Sequence, residues 1–325
     1  MAPLKVGVLG VGHLGQHHAR LYAALPETTL AGIFDTDSAR AAQIAERHGC
    51  PVFATPEALI AGVEAVSVAV PTTFHHRLAK LCLQQGRHVL VEKPIAVTVE
   101  EAQELVDLAS ARRCVLQVGH SERFNPIMLA VRDRISAPGF IEAHRLAPFS
   151  ERGTDVDVVL DLMIHDLDIV LSLTKSPVES VVAAGVPVLS SRVDIANARL
   201  QFANGCVANL TASRVSASRL RRCRVFQRDG YVSVDFQTRQ AVIAHRKTGE
   251  GTKPTLEIEH LQGSDEEPLK LQLASFVRAV TQRVPAVVSG EAGTAALALA
   301  HRIRDAIDAY WARLEQAGAT GSGSR

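Results

Sequence analysis

The stretch Val6-Gly7-Val8-Leu9-Gly10-Val11-Gly12-His13-Leu14-Gly15 decides the fold. Val6–Leu9 is a short apolar run that predicts a buried strand, and Gly10-x-Gly12-x-x-Gly15 follows it at once and opens a helical segment. In that context each glycine has a physical reason. Gly10 permits the tight turn, Gly12 lets the backbone approach a pyrophosphate, and Gly15 allows close helix–strand packing. The helix that starts there offers unpaired N–H groups and a partial positive charge to an anion. His13, inside the loop, reads as a solvent-facing residue. Asp35 lies 20 residues beyond Gly15, at the end of the next predicted strand, Leu30–Phe34. A carboxylate there accepts hydrogen bonds from the adenosine ribose hydroxyls and repels a 2′-phosphate, and no Arg immediately follows it. The pattern therefore reads as binding NAD in preference to NADP.

Further along, Ala65–Val70, Val89–Val91 and Val115–Val118 are β-branched apolar runs, with a shorter one near Val52–Phe53. Helical stretches such as Ser38–His48 and Val99–Arg112 separate them. Continuous apolar strands alternating with helices predict an α/β doubly wound parallel sheet of Rossmann type over residues 1–120. The pattern then changes. From about 178 to 262 the residues alternate with period two: Ala196, Ala198, Leu200 and Phe202 share one face, Asn197, Arg199 and Gln201 the other. Asn204-Gly205 and Asp229-Gly230 between alternating runs are strong hairpin signals. Residues 121–317 therefore read as a second, α+β domain with a large, mostly antiparallel open sheet and two closing helices, roughly Glu267–Gln282 and Glu291–Leu314. Residues 318–325, small and polar, read as a flexible tail.

Composition narrows the function classes. The chain of 325 residues is 47% hydrophobic and 21% charged, which suits about two globular domains. Its net charge of +1 and 4% aromatic content argue against a nucleic-acid surface. No apolar run approaches the length of a membrane span. The amino terminus begins as a strand rather than an export signal, so a cytoplasmic location is expected. Five widely spaced cysteines (50, 82, 114, 206 and 223) include no CxxC pair and predict neither a disulfide framework nor a structural metal site.

Two further constellations carry chemistry. Glu92-Lys93-Pro94 directly follows a predicted strand, where ligands of open α/β sheets bind. Pro94 fixes the turn and biases Lys93 away from helical geometry. On a helix spanning 159–170, Asp161, His165 and Asp168 fall at i, i+4 and i+7 and share one face. That face suits a salt-bridging surface, half of a metal site, or a histidine steered by a carboxylate for acid–base work. No further His/Cys cluster accompanies it, so no metal is expected.

Taken together, Gly10–Gly15, Glu92-Lys93-Pro94 and Asp161-x-x-x-His165 resemble the Gfo/Idh/MocA oxidoreductases, the family of glucose–fructose oxidoreductase and inositol dehydrogenase. The resemblance covers essentially the whole chain, including Pro71-Thr72, Gly119–Pro126 and Pro285–Gly290. It implies catalytic roles for Lys93, Asp161 and His165, and leaves open whether His165 or Lys93 is the base. It implies cofactor contacts at Gly10, Gly12, His13, Leu14, Gly15, Asp35, Pro71, Thr72, His75, Glu92 and Lys93. Arg123, Asn125, Arg152 and His165 fall near the substrate. Homodimers or homotetramers through the open sheet are also implied. More narrowly, GHSERFNP (119–126) and the helix around His165 resemble the subgroup that oxidises the 3-hydroxyl of UDP-N-acetylglucosamine for lipid A-type amino sugars. Such a substrate needs phosphate donors, for which Arg145 and the Arg219–Arg224 cluster are further candidates. A free polyol or sugar dehydrogenase and a catalytically silent dinucleotide sensor are the rival readings.

Overall fold

The computed structural model describes residues 2–150, 156–247, 253 and 255–321. The chain divides into two compact units, one of Met1–Phe124 with Glu266–Leu297, the other of Asn125–Asp265 with Ala298–Arg325.

The first unit alternates strands and helices in chain order: β1 (Leu4–Leu9), α1 (Gly15–Ala24), β2 (Thr28–Phe34), α2 (Ser38–His48), α3 (Pro56–Ala61), β3 (Ala65–Val68), α4 (His75–Gln84), β4 (His88–Glu92), α5 (Val99–Arg112) and β5 (Leu116–Gly119). The five strands form one parallel sheet in the order β2-β1-β3-β4-β5. The run at Val52–Phe53 adds only a single parallel bridge, Ile33 to Val52, beside β2. Local signals set the helix ends. Asp37 caps α2 through the Arg40 N–H, and Gly49 closes it in the left-handed region. Thr98 and Glu101 cap α5 reciprocally.

One helix joins this unit from far along the chain. α8 (Pro268–Gln282) contributes Leu273, Phe276 and Val277 to the core formed by Val6, Val8, Tyr22 and Leu90. Residues 266–297 thus belong with the first unit, whereas the sequence expectation put everything after residue 120 in the second. An amphipathic period shows that a helix has a buried face but not which sheet covers it.

The second unit contains α6 (Pro126–Val131), β6 (Phe140–Leu146), a π-helical turn (Val159–Met163), α7 (Ile164–Thr174), β7 (Val178–Val186), β8 (Ile195–Phe202), β9 (Val207–Ser213), β10 (Leu220–Gln227), β11 (Gly230–Asp235), β12 (Gln240–Lys247) and β13 (Thr255–Gln262). Its eight-stranded sheet runs β13-β12-β11-β10-β6-β9-β8-β7, antiparallel except for the β6–β9 pair. Ala196, Ala198, Leu200 and Phe202 are buried, as are Ala208, Leu210 and Ala212 across the Asn204-Gly205 hairpin, where Gly205 takes a φ of +84°. On the opposite face Asn197 bonds Thr211 and Arg199 bonds Asn209. Leu299, Ala300, Ile303 and Ile307 of the closing helix α9 (Gly290–Gly321) complete this core. α9 continues through Gly321, so residues 318–321, expected in a flexible tail, are helical. Among the described residues no helix is long and apolar enough to cross a membrane.

Candidate functional site

In the first unit the glycine-rich turn has the geometry a dinucleotide site needs. Gly10 adopts a φ of +83°, and its N–H donates to the Phe34 carbonyl at 2.8 Å. A Cβ on Gly15 would lie 1.8 Å from the Gly10 carbonyl oxygen, so only glycine lets α1 start this close to the strand. Gly12 differs from both. The nearest atom to a Cβ placed there is Arg40 Nη1 at 3.5 Å, so no protein packing requires glycine at this position. What would fill that cradle is absent from the chain itself, and a pyrophosphate approaching the backbone accounts for it. α1 carries no side-chain cap at its N-terminus, and Leu14 and His13 beside it are exposed. The residues present therefore fit a dinucleotide.

Asp35 sits at the edge of this turn. Its Oδ2 accepts from the Val11 N–H at 2.7 Å and its Oδ1 from the Asp37 N–H at 2.8 Å. Each carboxylate oxygen has a further lone pair to offer a hydroxyl. Arg40 escaped the sequence reading because it lies five residues beyond Asp35 rather than next to it. Its guanidinium donates to Asp37 at 2.7 Å and stands 4.0 Å from Asp35. The backbone and side chain of Arg40 hold the Asp37 carboxyl below the usual carboxylate range.

Pro71 and Thr72 follow β3 on a short 3-10 turn, Thr72–Phe74, at the carboxyl end of the sheet. Lys93 follows β4 and is half-buried, with a cis bond to Pro94. Glu92 and His75, expected to contact cofactor, are turned into the protein. Glu92 is buried with its Oε1 3.1 Å from His18 Nε2, and a Cβ on Gly119 would lie 2.6 Å from its oxygens. His75 is also buried, and its two ring nitrogens face the Pro94 and Val70 carbonyls at 2.7 and 2.9 Å. Strand-end position suggests an outward-facing Glu92, and the resemblance implies a cofactor contact at His75; tertiary hydrogen bonds hold both side chains inside. Arg123 donates to the Val287 carbonyl at 3.3 Å.

The second unit holds the other constellation. Asp157 Oδ1 accepts from the Val159 and Leu160 N–H groups, both at 3.0 Å, and starts the π-helical turn that carries Asp161. The helix expected over 159–170 is therefore π-helical through Met163 and α-helical only from Ile164. A π turn is a frequent feature of functional sites. Both are half-buried, while Asp166 and Asp168 are buried. Asp166 receives a bidentate pair from Arg145, Nε to Oδ2 and Nη2 to Oδ1 at 2.9 Å each. Arg145 is thus an internal tie between β6 and α7 rather than an exposed phosphate donor. Asn125 is likewise internal: it caps α6 through the Ile127 N–H and donates to the Phe236 carbonyl at 3.2 Å. Within the arginine cluster, Arg222 pairs with Asp235 and Arg224 with Glu142. Arg152 lies outside the described residues.

Comparison with known proteins agrees with this geometry. Residues 4–120 match the model of the oxidoreductase family with an NAD-binding Rossmann fold, GFO_IDH_MocA, and residues 138–233 match a GFO/IDH/MocA C-terminal domain. The chain is 41% identical to a UDP-N-acetylglucosamine 3-dehydrogenase of Acidithiobacillus ferrooxidans, over 96% of this chain and all of that one. A solved structure of UDP-N-acetylglucosamine 3-dehydrogenase GnnA from the same organism superposes with a TM-score of 0.89 at 40% identity, covering 95% of this chain and 99% of that one. An inositol 2-dehydrogenase of Rhizobium meliloti is 28% identical, over 91% of this chain and 94% of its own. With a parallel dinucleotide-binding sheet, a glycine cradle and a second unit built on an open sheet, all matched along nearly its whole length, the chain belongs to the Gfo/Idh/MocA oxidoreductases.

Proposed function

We propose that the chain oxidises the 3-hydroxyl of UDP-N-acetylglucosamine with NAD, giving a 3-keto sugar nucleotide of the kind used in lipid A-type amino-sugar synthesis. The observation that carries this reading is the 41% identity to the Acidithiobacillus ferrooxidans enzyme across both units. NAD, when bound, supplies a hydride acceptor. Gly10, Gly12, Gly15, Pro71 and Thr72 bind it, with His13 and Leu14 flanking the phosphates. The preference for NAD rests on Asp35. Arg40 donates to Asp37 at 2.7 Å and stands 4.0 Å from Asp35, so the Asp35 oxygens remain placed to accept the ribose hydroxyls and to repel a 2′-phosphate.

His165 accepts the substrate hydroxyl proton, and Asp161 orients His165 and stabilises its charged form. Lys93 donates a hydrogen bond to the oxygen as negative charge develops on it. Arg123 and Arg152 attract the substrate's anionic groups. The protein works in the cytoplasm as a homodimer or homotetramer built through the open sheet.

The test is reduction of NAD across a panel containing UDP-N-acetylglucosamine, other UDP-sugars and myo-inositol, with the oxidised carbon identified. Turnover with the sugar nucleotide and a ketone at C3 is the expected result. Turnover confined to the free polyol overturns the substrate, a reading the 28% identity to inositol 2-dehydrogenase keeps in view.

A further inference from the structure

Buried polar groups in a parallel-sheet core need a reason, because apolar side chains fill such space without the cost of desolvating donors and acceptors. The first unit contains a connected set of them. Tyr22 Oη lies 3.0 Å from Ser67 Oγ, Ser67 Oγ 3.1 Å from His18 Nδ1, and His18 Nε2 3.1 Å from Glu92 Oε1. Gln272 of α8 adds an amide to the same Glu92 oxygen at 3.4 Å.

With one proton on the His18 ring, the hydrogens along this chain take one consistent direction. Burial pushes the Tyr22 hydroxyl well above its ordinary pKa, so it stays a donor. Burial also pushes Glu92 up, but the His18 hydrogen bond and nearby positive charge outweigh it, and its carboxyl lies below the usual range. An ionised Glu92 only accepts, so His18 Nε2 donates to it. His18 Nδ1 can then accept from Ser67, and Ser67 from Tyr22. Tyr22, Ser67, His18 and Glu92 are thereby joined in one run, and that run ends on the residue before Lys93.

The residue after Lys93 is held from the other side. His75, the first residue of α4, sets its ring between the Pro94 and Val70 carbonyls. One ring N–H serves one carbonyl and a doubly protonated ring serves both. Glu92 and Lys93 are the charged groups acting on this ring. Helix α1, which carries the glycine cradle, and helix α4, which follows Pro71-Thr72, thus each send one buried histidine to the turn. With Gly119 leaving no room on the β5 side of the Glu92 carboxylate, the Glu92 side chain before Lys93 and the Pro94 carbonyl after it are both held.

We propose that His18 and His75 are positioning residues for Lys93: they act through Glu92 and Pro94 and fix where the Lys93 amine can reach. This rests on the role given to Lys93 above.

The experiment compares His18→Leu, His75→Leu and Lys93→Met, each alone and each histidine change combined with Lys93→Met. Readouts are kcat, reduced-cofactor binding by fluorescence and the thermal midpoint. Each leucine variant is expected to lower kcat by about 100-fold, the loss typical of a reactive group misplaced by about 1 Å, and to weaken reduced-cofactor binding far less. His18→Gln and His75→Gln keep an N–H donor and are expected to recover much of that loss. They also carry the test if the leucine variants do not fold. In the Lys93→Met background neither histidine change should lower kcat further, because its effect runs through the missing amine. Near-wild-type kcat in the histidine variants, or losses that multiply with Lys93→Met, overturn the proposal. A Lys93→Met enzyme that retains turnover instead refutes the role given to Lys93, whatever the histidine variants do.

Discussion

Gly12→Ala separates what the protein needs from what its cofactor needs. The backbone at Gly12 lies outside the left-handed region, and an added Cβ meets only Arg40 Nη1, at an ordinary 3.5 Å. Folding therefore loses nothing, and replacing Gly by Ala restricts the unfolded chain, a gain of about 0.4–1 kcal/mol that raises the thermal midpoint by about 1–4 °C. Binding moves the other way. The methyl occupies the space a pyrophosphate needs to reach the backbone, and a lost hydrogen bond to a charged group is worth about 1.5–3 kcal/mol, or about 10- to 150-fold in affinity. Thermal unfolding without cofactor, paired with titration of reduced cofactor by fluorescence, reads both. Gly15→Ala is the contrast: its Cβ would fall 1.8 Å from the Gly10 oxygen, and the strain destabilises by about 1–3 kcal/mol before any ligand is added. Wild-type cofactor affinity in Gly12→Ala would refute the assignment of this cradle.

Three further outcomes follow from other parts of the molecule. Asp35→Ser should lower kcat/KM with NAD and raise it with NADP, so that the ratio of the two moves toward NADP by about tenfold or more, read from initial rates with each cofactor. Arg145→Met should destabilise by about 3–5 kcal/mol in denaturant unfolding, because it leaves the buried Asp166 unpaired; Arg145→Met with Asp166→Leu should recover much of this. Burial raises the pKa of Asp194, but the Ser190 hydroxyl and the N–H groups of Ser190, Leu189 and Val188 outweigh it and hold the carboxyl well below the usual range. A depressed folded-state pKa contributes stability above the unfolded-state value near 3.8 and loses it as pH falls further. Asp194→Asn should therefore be less stable than wild type at pH 7, with the gap narrowing in acid; a gap independent of pH would contradict this.

The dinucleotide half was legible because its signals are local. Gly10 and Gly15 answer to backbone geometry within one turn, and Asp35 hydrogen-bonds the N–H of Val11 in that same turn. The β8–β9 hairpin was legible for the same reason, since period-two alternation and Asn204-Gly205 specify it without help from the rest of the chain. Other features depend on partners distant in sequence. Nothing near residue 92 reveals that its carboxylate turns toward His18, 74 residues away, and nothing near residue 145 reveals Asp166. The π-helical turn at Val159–Met163 was missed because an α-helical count assumes about 3.6 residues per turn throughout.

By itself, then, the sequence determined the parallel sheet of the first unit, the antiparallel β8–β9 hairpin of the second and the glycine-rich turn, because each is written in spacings of a few residues, while β6 and its parallel pairing with β9 were not read from it. Tertiary structure alone decided which unit α8 completes, which charged residues become internal ties, and that two buried histidines meet the Glu92 carboxylate and the Pro94 carbonyl on either side of Lys93. The physical reason is that burial and hydrogen-bond pairing join groups from separate strands and helices. A polar side chain's role is settled by the partner that satisfies it, and that partner is chosen only when the chain has folded.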